Sequence, residues 1–278
     1  MRTYKDGAVA VFRSEIYQTN AIVVCTEDLV LVVDPGYLPS EVQAVREYVD
    51  QVKEHRPVFA FYTHSDYDHI AGYGAFADEV TVASQAFAET TDPRAAVEEI
   101  ERHDDAFYIE RPYAHAYPKA DYIVRKEGEA IGAGRTTLTF YRAPGHHPDG
   151  LMCIVEPLGL LIPGDFLSDV EFPFVYDSFA NYRSTLASFE RVVEGREGLL
   201  LLPSHGTPTD DPADIRLRLA ESVRYLDLVE RQGDSADETA FEAYMARNGY
   251  AFKRGLRERH ADNRRKWREE RQAGQSDR

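Results

Sequence analysis

The chain is poor in cysteine, tryptophan and methionine, with two, one and three of them in 278 residues. Its two thiols, Cys25 and Cys153, lie inside apolar runs and have no CxxC-type neighbour. That excludes a disulfide-stapled scaffold and a thiolate metal site, and both read as small buried hydrophobes. Long apolar runs are missing too. No segment approaches the ~18 residues of a membrane span, and Met1 to Gly7 holds no signal-peptide core, so a cytoplasmic protein without a membrane partner is expected. Cations are scarce: 32 Lys and Arg face 48 Asp and Glu, a net charge of −16 that argues against a nucleic-acid partner. The deficit is uneven, since Ala251 to Arg278 carries ten Lys or Arg against five Asp or Glu. Residues 236–278 therefore read as a charged helical extension of a body over 1–235. No GxSxG, phosphate-binding loop or dinucleotide fingerprint occurs, which leaves serine-hydrolase, nucleotide-triphosphatase and Rossmann readings unsupported.

What the chain has in density is VFAFYTHSDYDHIAG, Val58 to Gly72. An apolar run, Val58 to Tyr62, leads into four metal-competent side chains within six residues: His64, Asp66, Asp68 and His69. In extended backbone, residues two apart share a side, so His64 and Asp66 address one point. A tight turn after Tyr67 aims Asp68 and His69 at a neighbouring point, which makes two half-sites side by side. The same residues also read as a polar turn, with Asp68 as the N-cap of a helix beginning at His69. Downstream, APGHHPDG, LLIPGDF and LLLPSHG place His146, Asp165 and His205 where apolar runs end in Gly or Pro.

Around these motifs the chain alternates strand and helix. Ala8 to Phe12, Asn20 to Cys25 and Leu29 to Val33 read as strands. Ser40 opens a capping box with Gln43, and Val42, Val45, Val49 and Val52 form a helical stripe. Val80 to Ala83 is a strand and Pro93 to Arg102 a short helix inside an aromatic insertion at about 84–121, extra length of the kind that carries substrate recognition as a lid. His103 and His115 fall there without ligand-type spacing and read as surface or supporting histidines. A second set of strands follows at Tyr122 to Lys126, Thr136 to Arg142, Leu151 to Val155 and Leu160 to Ile162. Tyr182 to Val193 is helical, Leu199 to Leu202 is the last strand, and Asp211 with Pro212 starts a further helix. Composition alone says α/β or α+β; two strand sets before and after the insertion, each followed by helix, predict a four-layer αβ/βα sandwich.

His64-x-Asp66-x-Asp68-His69, then His146, Asp165 and His205 in that order, resembles the metallo-β-lactamase-fold superfamily of metallohydrolases, whose pattern is HxHxDH, GH, GD, GH. The match spans about half the chain, and Asp34 of VVDPG sits where the family carries an Asp after an early strand. Asp66 departs from it, standing where a second His is usual. The resemblance implies the same sandwich with a site at one edge between two sheets. It implies one ion at His64, Asp66 and His146 and another at Asp68, His69 and His205, with Asp165 shared, Asp34 in support, and Asp68 and Asp165 in the catalytic centre. Two divalent ions about 3.5–4 Å apart hold a bridging hydroxide and polarise the bond it attacks. A carboxylate bridges both ions where an imidazole serves one, which suits Asp165.

Asp66, harder than imidazole and charged, shifts preference from zinc toward manganese or ferrous iron if it ligates; if it does not, only the second site fills. His147 is either a supporting acid or a rim residue. Tyr67, Tyr176 and Tyr182 are phenols placed either to stabilise an oxyanion or to form an aromatic wall. The expected activity is hydrolysis of an ester, thioester, lactone, amide or phosphoester in a small-molecule substrate. The alternatives are a non-haem iron redox enzyme, as in relatives with an acidic residue at the position of Asp66, and a ligand-binding protein with a vestigial site. Whether copies of the chain associate is not encoded legibly.

Overall fold

The computed structural model describes residues 2–276, with side chains from residue 7 to residue 274. Met1 and the last two residues of the charged extension, 277 and 278, lie outside the described residues. The first strand, β1 (Arg2–Asp6), pairs with β2 (Val9–Arg13), and β3 (Asn20–Cys25) and β4 (Val30–Val33) continue an antiparallel run. Then comes α1 (Pro39–Val52), after which β5 (Val58–Phe61) adds parallel to β4. A short helix α2 (Tyr67–Ile70) precedes β6 (Val80–Ser84), and α3 (Gln85–Ala88) and α4 (Pro93–Phe107) lead to β7 (Tyr122–Val124), both strands again parallel. That sheet has seven strands in the order β1-β2-β3-β4-β5-β6-β7.

The second sheet follows with β8 (Glu129–Ala133), β9 (Thr136–Arg142), β10 (Leu151–Glu156) and β11 (Leu160–Ile162), all antiparallel. After α5 (Phe179–Glu194), β12 (Leu200–Leu201) joins parallel to β11. Its order is β12-β11-β10-β9-β8. The chain ends in α6 (Pro212–Gln232), α7 (Thr239–Asn248) and α8 (Lys253–Ser276). None of the described helices is long and apolar enough to cross a membrane.

Strand alternation builds four layers. Val11, Ile22, Leu31 and Phe61 of the first sheet meet Leu138, Phe140, Cys153 and Ile162 of the second in a shared core. Phe61 and Phe140 touch edge to face across it, 5.2 Å between centroids, and truncating either to Ala would cost about 3–5 kcal/mol. The opposite faces are also apolar. Val23, Val32 and Ala60 pack under Val42, Val45 and Val49 of α1 and Ile100 of α4. Met152, Ile154 and Leu161 pack under Leu186, Phe189, Leu226 and Leu256 of α5, α6 and α8. Burial on both faces is why the strands read as continuous apolar runs. The fold is the αβ/βα sandwich that the pattern predicts.

Several local expectations are corrected. α1 starts at Pro39 behind Leu38, whose N–H donates to Glu41 Oε2 at 3.0 Å, so the cap is one-sided and uses Glu41, not Ser40 with Gln43. Asp68 is inside α2 and not its N-cap; Asp66 precedes the helix and its side chain makes no capping bond. Asp92 caps α4, which runs on to Phe107, and Ser178 caps α5 four residues before Tyr182. β1 and β8 escape the pattern because RTYKD and EAIGA are short of apolar residues. The insertion is not a detachable lid. Phe87 and Ile100 are buried under the first sheet, Tyr113 and Tyr117 pack against them, and β7 beyond them completes the sheet. Asp104 is buried there between Arg111, at 2.6 and 2.8 Å, and His115 Nε2, at 2.7 Å.

Candidate metal centre

β4, β5 and β6 run parallel in one sheet, and β9 and β11 both pair antiparallel with β10 while β12 runs parallel to β11 in the other. The loops after β4, β5, β9, β11 and β12 therefore leave one edge of the sandwich, carrying Asp34, the His64–His69 stretch, His146, Asp165 and His205. Gly145, at φ +124°, is required just before His146, because a Cβ there would lie 2.3 Å from the Cα of Tyr182. That close approach seats the β9–β10 loop on α5.

Each of the four histidines has its Nδ1 occupied from outside the site. His146 Nδ1 donates to the Phe174 carbonyl and His205 Nδ1 to the Tyr17 carbonyl, both at 2.9 Å. His69 Nδ1 donates to Asp34 Oδ2 at 3.0 Å. Thr63 Oγ1 donates to Asp34 Oδ2 at 2.8 Å, so at its 2.9 Å contact with His64 Nδ1 it accepts. With Nδ1–H used, all four neutral rings turn an Nε2 lone pair inward.

There the Nε2 atoms meet carboxylates. Asp165 Oδ2 is 3.1 Å from His146, 3.3 Å from His205 and 3.7 Å from His64, and its Oδ1 is 3.3 Å from His69. Asp66 Oδ2 is 3.2 Å from His146 and 3.6 Å from His64. Asp68 Oδ2 is 3.6 Å from both His69 and His205 and accepts from Thr19 Oγ1 at 3.0 Å. Four overlapping groups converge closely enough to hold an ion: His64 with His69 and Asp165, His64 with Asp66 and His146, Asp68 with His69 and His205, and Asp165 with Glu171 and His205.

Electrostatics ask for cations here. Burial opposes a charged ring at His69 and His146, yet the Asp165 carboxylate raises both well above the ordinary imidazole range, helped by Asp68 and Asp66 respectively. His205 rises to about 10 for the same reason against the same penalty. Burial would raise Asp66 and Asp165, but the His146 and His64 hydrogen bonds hold Asp66 far down, and the surrounding rings do so for Asp165. Protons alone satisfy this poorly. The Nε2 atoms of His69 and His205 face each other at 3.3 Å, where two N–H groups cannot both fit, and His64 Nε2 and Asp165 Oδ1 are buried without a hydrogen-bond partner. Divalent ions fit that donor set of imidazole nitrogen and carboxylate oxygen.

The structure brings together all seven residues that the motifs single out. Asp34 is fully buried behind them and accepts from Thr63 N, Thr63 Oγ1, His69 Nδ1 and Ser204 Oγ. His147 lies at the rim, Nε2 3.7 Å from Asp66 Oδ1 and Nδ1 2.5 Å from Asp149. Tyr182 is in the core, its ring 4.4 Å from Phe166. Tyr176, not Tyr182, packs over His146, at 5.1 Å, and Tyr67 Oη bonds Tyr17 Oη at 3.0 Å. His103 stacks on Phe107 beside Tyr37 and Tyr67, away from the donors. Sequence reading missed Glu171, Thr63, Ser204 and the carbonyls of Tyr17 and Phe174. It also missed Asn263 of α8, which holds the Phe174 loop through Val175 N at 2.8 Å and Pro173 O at 2.6 Å.

Residues 15–205 match the family model of the metallo-β-lactamase superfamily, and the chain belongs to that superfamily. No curated protein matches it. Solved structures that resemble it show the same fold at low identity. The stereoselective inverting sec-alkylsulfatase Pisa1 from Pseudomonas sp. superposes with a TM-score of 0.64 at 14% identity over 83% of this chain, which spans only 42% of the sulfatase's length. A metallo-β-lactamase family protein from Thermus thermophilus gives 0.60 at 18% identity, covering 83% of each chain. A β-lactamase domain protein from Burkholderia ambifaria gives 0.58 at 19%, over 83% of this chain and 78% of that one.

Proposed function

We propose that the protein is a metal-dependent hydrolase of an ester, thioester, lactone, amide or phosphoester bond in a small molecule. One observation carries the reading: four imidazoles, each tethered through Nδ1, turn their Nε2 atoms onto Asp165 between Asp66 and Asp68. His64, Asp66 and His146 would hold one ion, Asp68, His69 and His205 a second, and Asp165 both. Ions held there lower the pKa of bound water toward neutrality and polarise the bond to be cleaved. The chain's own part is to fix those donors and keep the centre dry: His69 is fully buried and His64 nearly so. At the rim, His147 and Tyr176 flank the opening, and Arg259 of α8 reaches Tyr176 Oη at 3.3 Å. The carboxylate at position 66 supports manganese or ferrous iron competing well with zinc. Aqueous, cytoplasmic work on a diffusible substrate is consistent with the lack of a membrane-crossing helix among the described residues.

The test is turnover of a panel of lactones, thioesters, phosphodiesters, β-lactams and secondary alkyl sulfates by protein loaded separately with Zn, Mn and Fe(II), with metal counted in each sample. Hydrolysis that chelation abolishes and metal restores is expected. Two bound ions with no hydrolysis, and oxygen consumption by the iron form instead, would replace this reading with the redox one.

A further inference from the structure

We propose that Glu171 is an additional carboxylate ligand on the His205 side of the centre, beyond the residues that the four motifs supply. The inference rests on the site being a metal centre. Glu171 comes from the irregular segment between β11 and α5, and its carboxylate lies with Asp165 and His205 in a group whose donor atoms are all within 4.8 Å of one another.

Its position is fixed from both sides. The next residue, Phe172, is buried and stacks on Tyr225 of α6 at 4.2 Å, and Asn263 of α8 grips the backbone at Pro173 and Val175. Rigid placement of an acid beside other acids demands a partner. Among the described residues no protein donor hydrogen-bonds the Glu171 carboxylate and no Lys or Arg pairs with it; it faces Asp165 and His205. Asp165, its acidic neighbour in the group, presents a buried Oδ1 without a partner. The arrangement suits a cation shared by these donors.

Donor chemistry agrees: with Asp66, Asp68 and Asp165, Glu171 makes four carboxylates among the groups that converge there. Asp66 hardens one end of the centre and Glu171 the other, so both ions, and not only the first, are drawn toward oxygen-preferring Mn(II) or Fe(II).

The experiment measures binding and not turnover, so it stands whether or not the enzyme reading does. Mn(II) affinity and stoichiometry are followed by electron paramagnetic resonance under chelator competition for wild type, Glu171→Gln and Glu171→Asp, with thermal denaturation in EDTA alongside. Glu171→Gln should weaken one of two Mn(II) ions by at least about tenfold. The same variant should gain less in melting temperature from added Mn(II) than wild type does. Glu171→Asp, which keeps the charge on a shorter arm, should recover part of the affinity. Unchanged affinity in Glu171→Gln, or an unchanged gain in melting temperature from Mn(II), would overturn the assignment; wild type that binds Mn(II) without hydrolysing the panel would remove the hydrolase reading alone.

Discussion

His69 is wholly enclosed, with its Nδ1 held by Asp34, itself wholly enclosed; Asp34 directly follows the central strand β4, and His69 lies in the short helix α2 after β5. Asp66 leaves a quarter of its side chain in solvent, and its partner His146 takes its Nδ1 anchor from Phe174, in an irregular segment that Asn263 of α8 holds from behind. The half-site of Asp68, His69 and His205 is thus braced by the sandwich, whereas that of His64, Asp66 and His146 leans partly on a helix beyond the matched residues 15–205. A centre whose seven motif residues all fall within the matched span can therefore take part of its support from beyond it.

The comparison fails first at the residue that both halves share. Asp165→Ala removes the carboxylate within reach of all four Nε2 atoms, so activity should fall by several orders of magnitude even if one ion is retained. Near wild-type turnover with two ions counted would mean the halves do not depend on it. Asp34→Ala should strike the braced half. Four buried donors lose their acceptor, costing about 3–5 kcal/mol in chemical denaturation, while the ion at His69 should bind 10- to 100-fold more weakly by about the usual margin for a supporting carboxylate.

Asn263→Ala should reverse that pattern on a smaller scale. Two backbone groups of the 173–175 segment and Tyr225 Oη lose their partner, at a cost of about 1–3 kcal/mol. Affinity should fall by roughly tenfold at the His146 half, and by less at the His205 half, where the segment carries only Glu171. Equal weakening of both ions would show that the segment serves the whole centre, and the contrast between the halves would go.

The same contrast explains what could be read in advance. Four of the seven ligand candidates are legible because they crowd into six residues after one apolar run, and the other three, His146, Asp165 and His205, because apolar runs end there in glycine or proline. Asp34 is legible for the same reason, in VVDPG. Glu171 sits in FLSDVEFPFVYDSF, which has neither period, so nothing aims it until Phe172 and Asn263 pin the backbone. Asn263 lies in a helix whose sequence reads as a solvated basic face, and its two long-range bonds span about ninety residues, a separation that no local pattern carries. The aromatic insertion misleads in the other direction: irregular spelling suggests a lid, but Phe87, Ile100, Tyr113 and Tyr117 pack together under the first sheet.

The mildest change is the most selective. Asp66→His restores the residue the family usually carries, in the half-site that already tolerates solvent at that side chain. An imidazole should keep two ions bound and turnover measurable, since a donor still fills the position 3.2 Å from His146. Removing one negative charge and one hard oxygen should move the metal preference toward zinc. It also leaves the ions with more uncompensated charge, so water at the centre ionises more readily. The ionisation that limits the rate at low pH therefore moves down, and the acidic limb of the pH–rate profile with it. His147, 3.7 Å from Asp66 and raised by its bond to Asp149 against the penalty of burial, loses a nearby negative charge at the same time. Its own ionisation shifts down as well, in the same direction as the limb, so the His147→Gln background separates the two contributions. An acidic limb that moves up in Asp66→His in both backgrounds would show that Asp66 does not face an ion, and that the exposed half of the centre works without it.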